Sequence, residues 1–389
     1  MAVLTRFAAT RPRYVVSQEQ SLDWLARAHG GAQALLAGLD AADRERFARK
    51  IARLLDRVGA SSGAIATRAS VLPDFTSGTS GTSGASGNGG KAVLYDTAQD
   101  GPGSYPRGKG ASARLEVFTR AVDDYFAAAY ADETDAPDDL IHVTCTGYVS
   151  PSGAQKVVAA RGWGARTRVT HAYHMGCYAA LPAVRIAAGF VASGARRVDV
   201  VHTELCTLHL DPSDHRLEQL VVQSLFADGL IRYALVAGDA GPGLRLIAAN
   251  EIVVPDTAHA MRWTPSEWGM QMTLSREVPD RIASALRGFV AELYRRGGYT
   301  LEAIKHSAFA VHPGGPKIID RVRDVLELRD PQVAISRDVL RDHGNMSSAT
   351  LPHVWARLID DPRVAPGTPV VSLAFGPGLT MCGALLEKR

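Results

Sequence analysis

The chain lacks any apolar run long enough to cross a membrane. Such a helix needs about eighteen consecutive apolar residues, and no window of the 389 residues approaches that length. The N-terminus, MAVLTR, also lacks the basic stretch and long apolar run of a secretory signal. Only four cysteines are present, without a CxxC pair, which is typical of reduced thiols. These absences predict a cytoplasmic protein without a membrane segment.

An excess of charge of one sign is missing as well. With 43 basic and 40 acidic residues, the formal net charge is only +3, which argues against a general nucleic-acid-binding protein. Hydrophobic residues make up 46% of the chain and charged residues 21%, the balance of a globular protein with a sizeable core. Arginine outnumbers lysine, so local sites for phosphates or carboxylates are compatible with this even total.

Extended apolar segments alternate with helical segments along most of the chain. This alternation predicts the α/β class with buried sheets. The length suits two halves, which we place at 1–240 and 241–389. The Gly/Ser-rich segment at about 76–90 cannot bury a core, and we expect it to form a flexible surface loop.

Cys177 is the residue that points most directly to chemistry. It follows Gly176 and precedes segment 178–192, which is apolar nearly all round and is predicted to be a buried helix. A thiol at a helix N-terminus faces unpaired N–H groups, which would lower its pKa and make it a nucleophile. The alternative is a small buried hydrophobic residue that begins a core helix.

A histidine and an asparagine occupy comparable positions in the second half. His312 ends an apolar strand and precedes a rigid Pro-Gly-Gly-Pro turn, which suits a fixed base, although a simple turn histidine is the alternative. Asn345 stands before a predicted helix that runs to Leu358. An N-cap and an oxyanion donor are both compatible with that position.

Histidine and cysteine groups and glycine-rich segments leave a metal site and a nucleotide site as further alternatives. The metal alternative rests on two histidine- and cysteine-containing groups, neither of which has a paired CxxC or HExxH arrangement. The groups are His171, His174 and Cys177, and His202, Cys206 and His209. No GxGxxG or GxxxxGK[ST] occurs in a strand–helix frame. We therefore predict no metal and no nucleotide fingerprint.

Four short motifs occur together in one order. They are MGCY at 175–178, VHPGGP at 311–316, GNMSS at 344–348 and FGPG at 375–378. In this combination the chain resembles the type III polyketide synthases, the chalcone synthase-like enzymes, over roughly residues 140–389. The resemblance implies a homodimer of thiolase-like subunits with layered αβαβα architecture from two similar halves.

The resemblance also implies a reaction. Cys177 would take an acyl group from coenzyme A, and His312 and Asn345 would stabilise the enolate that malonyl-CoA leaves on decarboxylation. Phe226 matches a gatekeeper between the coenzyme A tunnel and the inner cavity. No cofactor beyond the coenzyme A thioesters is expected, because loss of carbon dioxide drives the condensation.

Departures from the plant pattern bear on the substrate. Met272 falls where the second gatekeeper stands, Cys145 and Thr146 replace a plant-type Thr-Ser, and His209 replaces a small polar residue. This version resembles bacterial members that use fatty-acyl starters and make pyrones or resorcinol- or phloroglucinol-type products. Phe375, Gly376 and Pro377 complete the expected substrate wall. The expected coenzyme A-binding residues are Arg57, Arg68, Arg276, Gly314, Gly315 and Lys317.

Two alternatives use the same residues. A stand-alone ketoacyl synthase would take its substrate from a carrier protein and stop after one condensation. A catalytically inactive homologue would bind acyl-CoA without turnover. The motif FGPG and Phe226 favour the polyketide synthase.

Overall fold

The computed structural model describes residues 2–76, 94–95, 105–238 and 241–389. The strands of this part of the chain are β1 (Ala2–Thr10), β2 (Tyr14–Ser17), β3 (Thr67–Ser70), β4 (Asp139–Thr144), β5 (Arg168–Tyr173), β6 (Arg197–Leu205), β7 (Asp228–Ala237), β8 (Leu244–Val253), β9 (Met261–Pro265), β10 (Met270–Leu274), β11 (Ala308–Val311), β12 (Pro369–Gly376) and β13 (Thr380–Lys388). The α-helices are α1 (Gln18–Ala37), α2 (Ala41–Val58), α3 (Ala111–Ala129), α4 (Gly153–Ala160), α5 (Ala180–Ala192), α6 (Leu217–Leu225), α7 (Val278–Arg296), α8 (Pro316–Leu326), α9 (Asp330–His343) and α10 (Thr350–Asp360).

Nine strands form one hydrogen-bonded sheet in the order β11-β12-β13-β8-β1-β7-β6-β4-β5. Strands β4, β5 and β6 are parallel to one another, and β11 is parallel to β12. The remaining pairs in the sheet are antiparallel. Parallel neighbours need helical crossovers, so the predicted α/β class is confirmed.

Helices α5 and α10 form the central layer of the molecule. Helix α5 contacts β6 and β7 at one end of the sheet and β13 towards the other, and α10 contacts β11 as well as β1 and β7. The sequence of α5 is apolar nearly all round because strands of both halves cover it.

Strand β12 shows how the layers are separated. Its residues alternate between faces: Val370 and Ala374 pack in the central core, whereas Val371 and Phe375 pack in an outer core with α7 and α8. A third core, built on α1, α3 and α4, covers the opposite outer face. This arrangement agrees with the layered thiolase-like fold.

Some predicted segments need comment. The predicted boundary at 240/241 falls in the connection between β7 and β8 and stays a prediction. Apart from Thr76, segment 76–90 lies outside the described residues. None of the helices in the described ranges combines the length and apolar character that a membrane crossing requires.

Buried neutral histidines make stability depend on pH. Burial lowers the pKa of His29, His142 and His202 to about 3. The unfolded chain takes up these protons below about pH 6.5, whereas the folded protein does not, so stability falls as the pH falls. Each histidine costs about 2 kcal/mol at pH 5. Burial raises the pKa of Asp228 to about 6, so this residue makes the folded protein more stable as the pH falls, which opposes the effect of the histidines.

We therefore expect the melting temperature to drop markedly between pH 7 and pH 5, as measured by calorimetry. His142→Gln should weaken this pH dependence because it removes one of the titrating groups. A melting temperature that stays constant over this range would contradict the interpretation.

Candidate active site

A sharp turn presents Cys177 between β5 and α5. Gly176 has φ +85°, and a Cβ atom at this position would lie 2.8 Å from Cδ of Pro377. Only glycine combines that conformation with such close packing. Helix α5 begins at Ala180 rather than at 178, because the N–H groups of Ala179 and Leu181 close tight turns. Cys177 therefore lies just before the helix.

The surroundings of Cys177 favour the thiol. Its side chain is buried, and burial raises the pKa of Cys177 to about 12 despite a hydrogen bond from the Ser347 hydroxyl. The lowered pKa expected from the sequence is therefore wrong for this closed cavity. The reason is that desolvation outweighs local donors when no cation balances the charge.

His312 lies at the end of β11 and points unpaired nitrogens into the structure. The backbone N–H of His312 donates to the Leu373 carbonyl at 2.7 Å, which fixes the main chain beside β12. Neither ring nitrogen has a hydrogen-bond partner among the described residues, although the side chain is buried. Burial lowers the pKa of His312 to about 4, so the imidazole is neutral at pH 7. Unpaired buried nitrogens of this kind suit a ligand oxygen.

Asn345 both caps a turn and presents its amide to the cavity. Its Oδ1 accepts from the Ser347 N–H at 2.9 Å, and its Nδ2 donates to the Gly314 carbonyl at 3.3 Å. Helix α10 begins only at Thr350, so Asn345 caps the short turn before it. The second proton of the amide remains for a ligand.

One cavity of about 640 Å³ brings the three groups together. Cys177, His312 and Asn345 all line it. Phe375, from the end of β12, lines it as well. Three groups far apart in the chain therefore share one enclosed site that combines a thiol, an imidazole and a carboxamide.

Phe226 and Met272 stand between this outer cavity and an inner chamber, because both side chains line both spaces. The backbone fixes the position of Phe226: the Ala227 N–H donates to the Asn345 carbonyl, and the Asn345 N–H donates to the Leu225 carbonyl, each at 2.9 Å. The Gln219 side chain donates to the Met272 carbonyl at 2.6 Å. The backbone on either side of Phe226 is therefore hydrogen-bonded to Asn345, the residue that carries the carboxamide. Phe226 and Met272 are called the gate below.

The inner chamber is narrow, with about 40 Å³ of free space. Cys145, Thr146, His209 and Pro377 line it. His209 uses both ring nitrogens structurally: Nε2 donates to the Thr146 carbonyl at 2.8 Å and Nδ1 accepts from the Met270 N–H at 3.0 Å. Gly376 packs against the Tyr178 ring behind the wall.

Profiles of a single enzyme family match most of the chain. The N-terminal domain of chalcone and stilbene synthases matches residues 127–240, and the C-terminal domain matches residues 245–388. The chain belongs to the chalcone and stilbene synthase family. It is therefore an acyltransferase of the type III polyketide synthase group, and the predicted family is confirmed.

Named relatives agree with this assignment, and a solved structure shares the fold. The chain is 28% identical to 1,3,6,8-tetrahydroxynaphthalene synthase of Streptomyces coelicolor A3(2), over 98% of this chain and 90% of that protein. It is 30% identical to the Streptomyces griseus enzyme of the same name, over 68% and 69%. The fold matches PKS-I of the brown alga Ectocarpus siliculosus with a TM-score of 0.81 and 21% identity, over 100% and 98%.

Membership of this family fixes the general reaction. Type III polyketide synthases condense acyl-CoA and malonyl-CoA and need no cofactor beyond these thioesters. In the part of the chain that the structure describes, no three His, Cys, Asp or Glu side chains are placed to hold a metal ion.

The mouth of the outer cavity of this polyketide synthase carries exposed cations. Arg57, Arg276 and Lys317 line it, with Gly314 beside them. Arg276 pairs with Glu218 at 2.9 Å, whereas no described carboxylate pairs with Arg57 or Lys317. These two free cations are placed to meet an anion at the entrance.

Two other residues predicted to bind coenzyme A lie elsewhere. Arg68 is buried behind the gate, where its guanidinium donates to the Phe226 carbonyl at 2.9 Å, the Gln223 carbonyl and the Ser21 hydroxyl. Its prediction as a phosphate ligand does not fit this position, because these donors face the protein interior. Gly315 packs on Leu225 under the gate.

Two residues of the site were missed in the sequence. Ser347 lies between two thiols, since it donates to Cys177 and its Oγ is 3.3 Å from Sγ of Cys145. Glu204 is fully buried against the chamber wall. The signal available in the sequence was an acidic residue inside the apolar strand β6. Burying a carboxylate is costly, so its presence there indicates a specific set of hydrogen-bond donors.

Gly176→Ala should damage both stability and activity. The positive φ and the contact with Pro377 should cost about 2 kcal/mol and displace Cys177. Gly189→Ala is the matched control, since a Cβ there meets nothing within 4 Å in α5. Denaturant unfolding and turnover would be compared; equal stability of the two variants would contradict the role of the turn.

Proposed function

We propose that the protein loads an acyl group from coenzyme A onto Cys177, extends it with malonyl-CoA by decarboxylative Claisen condensation, and cyclises the product. The observation that carries this proposal is the convergence of Cys177, His312 and Asn345 on one cavity. The exposed cations Arg57 and Lys317 at the entrance support binding of the coenzyme A phosphates there.

Loading requires that Cys177 lose its proton. At rest, burial keeps Cys177 as a thiol and His312 as a neutral imidazole. His312 is therefore in the correct state to accept the proton, and the resulting thiolate attacks the thioester carbonyl. The Cys177 sulfur forms the new thioester bond, and the coenzyme A thiolate leaves with a proton.

Condensation requires stabilisation of an enolate. After loading, His312 has given its proton to the departing coenzyme A and is neutral again; its one ring N–H and the free amide proton of Asn345 donate to the malonyl thioester oxygen as carbon dioxide leaves. The unpaired ring nitrogens of His312 support this role. The enolate carbon then attacks the acyl group on Cys177, and the chain returns to coenzyme A two carbons longer.

The inner chamber bears on the starter. Its volume of about 40 Å³ is far smaller than the volume of about 640 Å³ of the outer cavity. The fatty-acyl starter expected from the sequence stays a prediction, and this narrow chamber favours a short starter over it. The relatives named as 1,3,6,8-tetrahydroxynaphthalene synthases support a fused two-ring product, as an alternative to the predicted single-ring pyrone, resorcinol or phloroglucinol types.

A homodimer is part of the proposal. Strand β5 ends the sheet order, so its outer edge has no strand partner in the described ranges. Tyr148 lies beside this edge and is 40% exposed, with its ring 6.2 Å from that of Tyr173. An aromatic patch at an open strand edge suits pairing with a second copy.

The free thiol state of all four cysteines supports a reducing, cytoplasmic setting.

Incubation with labelled malonyl-CoA and starters from acetyl-CoA to stearoyl-CoA tests this function. We expect products with several added two-carbon units, and higher kcat/KM for short starters. Cys177→Ala should abolish covalent acyl loading, measured by intact-protein mass, whereas Cys382→Ala outside the cavity should not. A single added unit would instead indicate a ketoacyl synthase, and binding without turnover an inactive homologue.

His312→Ala and Asn345→Ala should each slow malonyl-CoA decarboxylation about 10²- to 10³-fold, the usual loss for one oxyanion donor. Release of labelled carbon dioxide in a Cys177→Ala background isolates this step from loading. His312→Gln, which retains an N–H donor, should recover part of the rate. Near-wild-type decarboxylation in both alanine variants would contradict the assigned roles.

A further inference from the structure

Three of the four cysteines line the same inner chamber. Cys145, Cys177 and Cys206 all contribute to its wall, and all three are buried. A thiolate attacks any thioester that it reaches, so a chamber that holds growing thioesters exposes each sulfur to the same electrophile. The structure must therefore favour one sulfur over the others.

Glu204 contacts one of these sulfurs directly. Its Oε2 accepts from the Cys145 N–H at 3.1 Å, from the Thr146 hydroxyl at 3.2 Å and from the Cys145 thiol at 3.4 Å. Its Oε1 accepts from the Ser348 hydroxyl. Burial raises the pKa of Glu204, and these donors oppose that effect. Four donors converging on two oxygens match a carboxylate, which only accepts hydrogen bonds.

A second buried group fixes the direction of this network. Because the Ser348 hydroxyl donates to Glu204, its oxygen accepts from Nδ1 of His202 at 2.9 Å. Nε2 of His202 then faces the Tyr233 hydroxyl at 3.4 Å. His202 is neutral, so it orients the carboxylate without cancelling its charge. In the part of the chain that the structure describes, no lysine or arginine pairs with Glu204.

The three thiols differ in their relation to this charge. Burial and then Glu204 raise the pKa of Cys145 and of Cys206 well above the usual range. At Cys177 the hydrogen bond from Ser347, which lowers the pKa, outweighs the effect of Glu204, and only the Cys145 thiol is in direct contact with the carboxylate. Of the three cysteines, Cys177 alone also lines the outer cavity with His312. A base and an open approach are thus available only to Cys177.

We propose that Glu204 selects the acylated cysteine: its buried carboxylate holds the Cys145 thiol as a hydrogen-bond donor, so that acyl groups collect on Cys177. This inference rests on the proposed function, because it presupposes that Cys177 is the nucleophile. Glu204 acts through Cys145 and is a positioning residue.

The test maps labelled cysteines by peptide mass spectrometry after treatment at pH 8 with iodoacetamide, and separately with hexanoyl-CoA. In the wild-type protein, label should appear on Cys177 and not on Cys145. Glu204→Gln keeps the shape of the side chain but removes its charge, which should lower the pKa of Cys145. The rate of Cys145 labelling should then rise about tenfold or more, since one pKa unit changes the thiolate fraction tenfold. Unchanged Cys145 labelling in this variant would overturn the proposal.

A matched control exists outside the chamber. Glu251 accepts from the Cys382 thiol at the same distance, 3.4 Å, and pairs with Arg185 at 2.9 Å, so Glu251→Gln removes a carboxylate that contacts a thiol outside the chamber and should leave Cys145 unlabelled. Labelling of Cys145 in that control would indicate that the protein structure opens whenever a buried carboxylate is removed, and it would overturn the specific role of Glu204.

A second variant keeps the test valid if Glu204→Gln is unstable. In Cys177→Ala, which retains Glu204, Cys145 should stay unlabelled even though the competing thiol is absent; rapid labelling there would overturn the proposal. The proposed function fails in a distinguishable way: if Cys177 carries no label while Glu204→Gln still increases labelling of Cys145, Cys177 is refuted as the nucleophile and its selection by Glu204 falls with it, although the effect of Glu204 on Cys145 stands.

Discussion

Cys177 and His312 carry charges during the proposed reaction, yet the protein encloses both groups among apolar side chains. Desolvation therefore keeps the thiol protonated and the imidazole neutral until a substrate enters. The unpaired ring nitrogens of His312 fit the proposed reaction, in which a permanent partner would occupy the position proposed for the thioester oxygen. Most residues of α5 and α10 are buried in the same core, which provides the depth that such a site requires.

The same enclosure requires accurate placement of chain segments from both halves. Pro377 packs on Gly176, so the turn after β12 holds the cysteine turn in position. Phe226 and Asn345 share backbone hydrogen bonds, so the gate and the carboxamide keep a fixed relation. Arg68 strengthens this frame from behind by donating to the Phe226 carbonyl. Glycines and a buried cation thus hold the geometry of this site, and both ring nitrogens of His312 stay free of partners among the described residues.

Hydrogen-bonded side chains also fix the wall of the inner chamber. Trp263 donates to the Cys145 carbonyl at 2.6 Å and His209 bridges Thr146 to Met270, so β9 and β10 close the chamber tightly. In the proposed function, the space for the starter and the growing chain is therefore set by the rings of Trp263 and His209, which are themselves hydrogen-bonded. Glu204 contributes charge to this wall without meeting the substrate cavity, and its carboxylate is balanced by donors alone.

The sequence by itself determined the α/β class, the apolar character of α5, and the local turns at Gly176, at Pro313–Pro316 and at Asn345, because hydrophobic period and turn chemistry are properties of neighbouring residues. Only the tertiary structure decided the direction of the Cys177 pKa shift, the interior position of Arg68, the narrow chamber and the contact between Glu204 and Cys145. Each of these depends on which distant segments exclude water from a given atom. Desolvation is set by the surrounding volume, and a local pattern of residues does not specify that volume.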